Sequence, residues 1–107
     1  MSLLRKLGML NRQGMKAFNS GKNDDALFQL VQAERLARSM KSPLHEAKVR
    51  NNIGLIHQET GNVEAAMVSF RVAAEQAALG AGPGTNLHKT IRRNLTRLQA
   101  ALYAEAV

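Results

Sequence analysis

The three histidines are the side chains of this chain most capable of acid, base or metal chemistry. The segment HEAKV, which starts at His45, begins like the His-Glu-x-x-His motif of zinc metalloproteases, in which two histidines one helical turn apart bind the metal. Val49 occupies the place of the second histidine, so no metal pair forms on that turn. We interpret His57 as a core or groove filler and His88 as an isolated residue on a basic helix.

Other catalytic arrangements are equally weak. The chain has no cysteine, which excludes disulfides, thiolate zinc sites and cysteine nucleophiles. The segment GAGPGT lacks the Gly-Lys-Ser/Thr ending of a phosphate loop and follows no predicted strand, so we interpret it as a linker. No Ser-His-Asp set or pair of carboxylates lies at helical spacing. The sequence therefore predicts a protein that is not an enzyme and uses no cofactor or metal.

The composition predicts a single all-helical domain over residues 1–107. Aromatic residues are scarce, with three Phe, one Tyr and no Trp, whereas Ala, Leu, Gln and Arg are plentiful. A chain of 107 residues can bury a modest core. No apolar run has the length of a signal peptide or a membrane span, so we expect a cytoplasmic protein without a membrane partner.

Glycine and alanine recur at matched intervals, which indicates an internal repeat. The first set of small and large apolar positions is Gly14, Gly21, Ala26, Leu30 and Ala33, and the set forty residues later is Gly54, Gly61, Ala66, Phe70 and Ala73. Small residues allow two antiparallel helices to approach closely, and the larger residue fills the space beside them. The repeat therefore encodes packing rather than catalysis.

The spacing of apolar residues and the turn-forming residues predict five helices. They are predicted over about Ser2 to Ser20, Asn23 or Asp24 to Met40, Pro43 to Thr60, Val63 to Leu79, and from Thr85 or Asn86 onward. Gly21, Ser42-Pro43, Gly61-Asn62 and the GAGPG segment separate them. Asn23 or Asp24 is expected to cap the second helix.

The repeat resembles that of the tetratricopeptide repeat (TPR) family, over about residues 3 to 80 and most strongly in NNIGLIHQETGNVEAAMVSFRVAAEQA. The resemblance implies antiparallel helix hairpins in a right-handed superhelical stack. Repeat one covers about 3–41, repeat two about 43–80, and a capping helix about 85–105. One face of that last helix carries the aliphatic stripe Leu87, Ile91, Leu95, Leu98 and Leu102, with Lys89, Arg93 and Arg97 roughly opposite.

Basic residues are unevenly distributed among the helices. The formal net charge is +7, and most of the excess lies on helices one, three and five, whereas helices two and four are nearly balanced. In the TPR architecture the first helix of each pair lines the concave surface. The resemblance therefore implies a basic groove, which favours an acidic partner through electrostatic steering.

The repeat alignment also implies which residues face the groove. The candidate partner-binding residues are Asn11, Arg12, Met15 and Phe18 on helix one, Lys48, Asn51, Asn52, Leu55 and Gln58 on helix three, and Lys89 and Arg93 on helix five. Asparagine amides can hold a peptide backbone, and the apolar side chains offer adaptable contact. Asn52, Lys89 and Arg93 align with part of the clamp that some TPR proteins use for a terminal carboxylate. Solvated surface is the simpler interpretation of Lys89 and Arg93.

Two functions follow from these patterns. The favoured one is a protein-protein interaction module, a small adaptor or chaperone that binds an acidic peptide or helix of a partner. Two repeats are fewer than the three usually needed for a continuous core, which leaves homo-oligomerisation open. The alternative is a basic helical protein that binds nucleic acid, supported by a pI near 10.6 and the basic last helix but opposed by the scarcity of aromatic residues for base stacking.

Overall fold

The computed structural model describes residues 2–106, which contain five α-helices and no strand. The helices are α1 Leu3–Asn19, α2 Asn23–Ser39, α3 Pro43–Glu59, α4 Val63–Gly80 and α5 Asn86–Ala106. The all-helical prediction is confirmed, and the predicted helix ends lie within about one residue of the observed ones. Within residues 2–106, no helix is both long enough and apolar enough to traverse a bilayer.

Neighbouring helices along the chain pack against one another. Contacts join α1 to α2, α2 to α3, α3 to α4 and α4 to α5, and a smaller contact joins α1 to α3. The first four helices are separated by turns of only three residues, which makes successive helices antiparallel. The molecule measures 51 × 33 × 19 Å, and its thinnest dimension equals about two helix diameters.

The first three turns share one geometry at twenty-residue intervals. Their central residues, Gly21, Lys41 and Gly61, have φ values of 77°, 53° and 78°. In each turn the next backbone N–H donates back into the last turn of the preceding helix. The bonds are Lys22 N–H to Ala17 O at 2.9 Å, Ser42 N–H to Ala37 O at 3.1 Å and Asn62 N–H to His57 O at 2.8 Å. This pattern is a Schellman motif, in which a left-handed residue satisfies carbonyls that the helix end leaves free.

The start of α2 differs from the expectation. Its N-cap is Lys22, whose side chain makes no capping hydrogen bond, rather than Asn23 or Asp24. The carbonyl of Lys22 accepts the N–H of Ala26 at 3.0 Å, so the helix starts at Asn23 itself. The Schellman turn has already set the direction of the chain at this point. A capping side chain is therefore not needed to begin the helix.

Two glycines permit the close approach of the helix pairs. A Cβ atom on Gly14 would lie 2.7 Å from Cγ of Leu30, and one on Gly54 would lie 2.5 Å from Cε1 of Phe70. Real Cβ atoms do not come this close to neighbouring carbons, so each glycine is required where the large residue packs across the pair. The same small-against-large contact thus occurs in α1–α2 and, forty residues later, in α3–α4.

Buried apolar residues fill the spaces between adjacent helices. One cluster joins α1, α2 and α3 and includes Leu7, Leu30 and Ile56. Two smaller clusters join α5 to α3 and α4, and they bury Ile91 and Leu98 on the aliphatic stripe predicted for α5. Burial of a large aliphatic side chain stabilises a fold by about 1.5–3 kcal/mol. The stripe of α5 therefore covers the outer side of the α3–α4 pair.

A buried glutamate joins α2 to α3. Glu34 is 7% exposed and accepts hydrogen bonds from Arg50 Nη2 at 2.8 Å and from Arg38 Nη1 at 3.4 Å. Arg50 also donates through Nε to Glu46 at 3.3 Å. A buried carboxylate requires such partners because desolvation of a charge is costly. The network therefore favours one register of α3 against α2.

We predict that Gly54→Ala destabilises the fold. The new methyl group would collide with Phe70, and this overpacking outweighs the gain in helix propensity, for a net loss of about 1–2 kcal/mol in the free energy of unfolding. Urea denaturation followed by circular dichroism measures the change. The control is Gly8→Ala, since its Cβ would meet only the flexible end of Arg12, at 3.2 Å, and the variant should gain about 0.5–1 kcal/mol. Equal effects of the two variants would contradict the close approach at Gly54.

We also predict that Lys41→Gly stabilises the protein by about 0.5–1 kcal/mol, because it relieves the left-handed conformation of a residue with a Cβ atom. The converse change, Gly61→Ala, should cost about 1 kcal/mol through conformation alone, since a Cβ atom there meets nothing within 4 Å. Thermal unfolding of the wild type and of both variants measures the two changes in stability. An unchanged or lower midpoint for Lys41→Gly would refute the assignment of strain.

Candidate functional site

Four asparagines form a row across α1, α3 and α5, which we call the asparagine row. Asn52 Nδ2 donates to Asn11 Oδ1 at 2.9 Å and joins α3 to α1. Asn94 Nδ2 donates to Asn51 Oδ1 at 2.9 Å and joins α5 to α3. All four side chains are half-buried. Each amide has further donor and acceptor capacity, because one hydrogen bond uses only part of it.

The α3 residues predicted to face a partner lie beside this row. Lys48 lies one helical turn before Asn51 and Asn52, and Leu55 lies one turn after them, on the same face of the helix. Lys48 and Gln58 are exposed, whereas Leu55 is half-buried and packs against the cluster that contains Phe70. Leu55 therefore contributes to the core as well as to the surface.

The α1 residues of the prediction are divided between surface and core. Arg12 is exposed, and its guanidinium group folds back over Gly8. Met15 and Phe18 are half-buried and pack against the cluster shared by α1, α2 and α3. Arg12 thus supplies an exposed positive charge next to Asn11. The two apolar residues offer only part of their surface to a partner.

On α5, the structure adds Asn94 to the predicted residues. Lys89 and Arg93 are exposed, but helix geometry turns them about 140° and 100° away from Asn94 around the axis. Arg97 is exposed and lies one turn after Asn94, on the same side. The helix period of α5 therefore places Arg97 nearest to Asn94 around the axis and Lys89 farthest from it, whereas Arg93 is displaced from Asn94 by the same angle as Arg12 from Asn11.

Charge pairing separates the basic residues into two groups. Within residues 2–106, the three ion pairs use Arg38 and Arg50 as cations and Glu34 and Glu46 as anions. Arg50 is therefore neutralised at the α2–α3 interface. Arg12, Lys48 and Arg97 take part in none of these pairs. Their charges remain available on the side of the molecule that carries the asparagine row.

Two of the histidines contribute to helix starts. His45 Nδ1 lies 2.7 Å from Ser42 Oγ, and Ser42 Oγ also accepts the His45 backbone N–H at 3.4 Å. His88 Nδ1 accepts the N–H of Gly84 at 3.0 Å, at the start of α5. These contacts give both rings a local structural role at the helix N-termini.

His57 is half-buried at the end of α3, on the side opposite Lys48. It lines a cavity of about 450 Å³ together with Asp24, Leu27 and Thr60. Burial lowers the pKa of His57 below its ordinary value of 6.5, because desolvation penalises the charged ring. Three further surface cavities, of about 300 to 330 Å³, also lie away from the asparagine row.

Comparison of the sequence with protein-family models and with curated proteins, and of the fold with solved structures, finds no match.

We predict that His57 makes the fold less stable in mild acid. Because the pKa is lower in the folded state, the unfolded chain binds more protons below pH 6.5, and stability falls as the pH decreases toward the folded pKa. Thermal unfolding of the wild type and His57→Gln at pH 7.5 and pH 5.5 measures this dependence. The variant should lose less stability than the wild type between the two pH values. Identical losses would show that His57 is not responsible.

Proposed function

We propose that this protein is a non-catalytic TPR-like interaction module that binds an acidic segment of a partner protein on the side formed by α1, α3 and α5. The asparagine row is the observation that carries the proposal. It joins the three helices through amide groups with remaining hydrogen-bonding capacity, next to exposed cations that take part in none of the ion pairs found within residues 2–106. A polypeptide segment with carboxylates and backbone amides complements such a surface.

The proposed architecture is two helix hairpins and a capping helix in a right-handed superhelical stack. Its support is the recurrence of the glycine contact, from Gly14 against Leu30 to Gly54 against Phe70, at the forty-residue interval of the sequence repeat. The hydrogen bonds from α1 to α3 and from α3 to α5 add support, because in such a stack the first helices of successive hairpins lie side by side. In this arrangement the asparagine row lies on the concave surface.

Charge supports an acidic partner. Arg12, Lys48 and Arg97 are exposed on the three helices of the row, and Glu59 is an acidic neighbour one turn beyond Leu55. Exposed positive charge therefore accompanies the row on all three helices, and Glu59 offsets it toward the C-terminal end of α3. Such a distribution accelerates association with acidic segments and also favours one orientation of the bound chain.

The proposal predicts that charge reversal beside the asparagine row weakens partner binding. Lys48→Glu with Arg97→Glu should weaken the affinity for proteins retained from the native host by about tenfold or more, because each change replaces an attractive charge with a repulsive one. Both residues are exposed, so the fold should be retained. Immobilised wild type and variant, compared by quantitative mass spectrometry of bound proteins, measure the effect.

The matched control is Arg71→Glu with Arg92→Glu, which makes the same charge change on exposed residues of α4 and α5. If the control loses the partner and the Lys48 and Arg97 variant keeps it, the assignment to the asparagine row is wrong. Nucleic-acid binding is tested with a labelled random-sequence oligonucleotide. Tight binding with a steep salt dependence, in the absence of a retained protein, would replace the proposal with the nucleic-acid alternative.

A further inference from the structure

The outer edge of the α1–α2 hairpin, on the side away from α3, carries two cavities in line. One, of about 310 Å³, is lined by Lys6, Leu10, Leu36 and neighbouring residues. The other, of about 330 Å³, lies nearer the turn between the helices and includes Ala17 and Gln29. We call this surface the edge groove. It lies at the opposite end of the helix row from α5, whose aliphatic stripe covers the α3–α4 pair.

The two cavities follow one another along the hairpin. Leu10 lines the first cavity and Gln13, one helical turn later on α1, lines the second. On antiparallel α2 the corresponding step runs from Gln32 to Gln29. On this side the lining extends from Lys6 on α1 to Ser20, the residue that follows α1, a distance of about 21 Å at 1.5 Å per residue. This length matches four turns of a helix.

Apolar side chains lie at the base of the groove and at its ends. Leu10 is nearly buried at its base, and Ala17 and Leu36 are half-buried beside it. Phe28 is 66% exposed at one end, and Leu3, two turns before Leu10 on the same face of α1, is 56% exposed. These side chains favour a ligand that presents an apolar stripe.

The rim of the groove is basic. Exposed lining cations are Lys6, Lys16, Lys22 and Arg35, and Asp25 is the acidic residue of the lining. The ion pairs found within residues 2–106 involve none of these five side chains. Apolar side chains at the base, with Lys6 and Lys16 on α1 and Arg35 on α2 beside them, complement a helix with an apolar face and acidic flanks.

We propose that the edge groove is a second binding surface, which takes an acidic amphipathic helix of about four turns from a partner protein. The bound helix covers the α1–α2 end of the helix row, just as α5 covers the α3–α4 pair at the other end. The surface is separate from the asparagine row, because α1 presents Asn11 and Arg12 to one side and Leu10 and Ala17 to the other.

Charge argues for a partner protein rather than a second copy of this chain. Two edge grooves placed face to face would bring Lys6, Lys16 and Arg35 against the same cations. Stacking the groove on the far end of another copy would oppose it to Lys89 and Arg93, which are exposed on α5. Both arrangements are repulsive for a chain of net charge +7, whereas an acidic helix is attracted.

The test uses a fluorescein-labelled helix of sixteen residues made of Leu, Ala and Glu, with leucines at i, i+3, i+4 and i+7, and a control peptide in which the leucines are scrambled. Titration into ¹⁵N-labelled full-length protein should shift amides of Leu10, Ala17, Gln29 and Leu36 while those of Lys48 and Leu55 stay in place. The scrambled peptide should bind at least tenfold more weakly in fluorescence anisotropy, because it cannot cover the apolar side chains at the base of the groove.

Two variants of equal charge change separate the surfaces. Lys6→Glu with Arg35→Glu, both exposed residues of the groove, should weaken binding of the helical probe about tenfold or more. Lys48→Glu with Arg97→Glu should weaken it less than threefold. Phe28→Ser tests the apolar end of the groove without altering its charge, and it should also weaken binding of the helical probe. Circular dichroism and thermal unfolding check that each variant retains the fold.

Three outcomes would overturn the inference. Equal affinity for the helical and scrambled peptides would show a purely electrostatic attraction. Shifts confined to the asparagine row, with loss of binding in the Lys48 and Arg97 variant, would place the probe on the other surface and leave the proposed function standing. Sedimentation equilibrium that finds a dimer, and a monomer for Phe28→Ser, would identify a second copy as the occupant. If host proteins do not bind the asparagine row, the proposed function is wrong. Binding of the peptide probe at the edge groove would still support this second surface.

Discussion

The close approach of the paired helices depends on glycines, two of which occupy matching positions forty residues apart. At Gly14 and Gly54 the backbone of one helix lies so close to Leu30 or Phe70 of the next that a single methyl group would collide with the larger side chain. Because protein interiors are close-packed, this contact sets the separation of each pair and the space left for the rest of the core. The buried alanines Ala26, Ala33, Ala66 and Ala73 continue the close approach along the pairs. In these two pairs, packing through small residues leaves the polar sides of α1 and α3 outside the core.

The surface properties follow from this packing. When α1 is packed on α2 and α3 on α4, Asn11 and Asn52 lie within hydrogen-bonding distance. The packing of α5 brings Asn94 to Asn51 in the same way. The row of helices then has two unlike ends. One end is covered by the aliphatic stripe of α5, whereas the α1–α2 end has an apolar groove with a basic rim. The two proposed binding surfaces are thus consequences of one arrangement: helices joined side by side, with their polar faces and one terminal edge accessible.

Local sequence signals predicted the helices well because their causes are local. Gly21 and Gly61 supply the positive φ of two turns, and Ser42 followed by proline starts α3, so these boundaries could be derived from residue type alone. Lys41 adopts the same left-handed conformation without glycine, which no propensity indicates. The pairing of Glu34 with Arg50 was also missed. Sixteen positions separate these residues, and only the packing of α2 on α3 brings their side chains together.

The sequence by itself determined the number of helices, their limits and the small-against-large contacts that pair them, since these depend on helix period, turn chemistry and side-chain volume. The tertiary structure decided which polar residues lie together. It paired Arg50 with Glu34, placed Lys89 about 140° from Asn94 around the axis of α5, and joined Asn94 to Asn51, with Arg97 one turn beyond. Such assignments depend on the rotation of each helix about its axis. That rotation is set by contacts between residues distant in the chain, so no pattern within a single helix contains it.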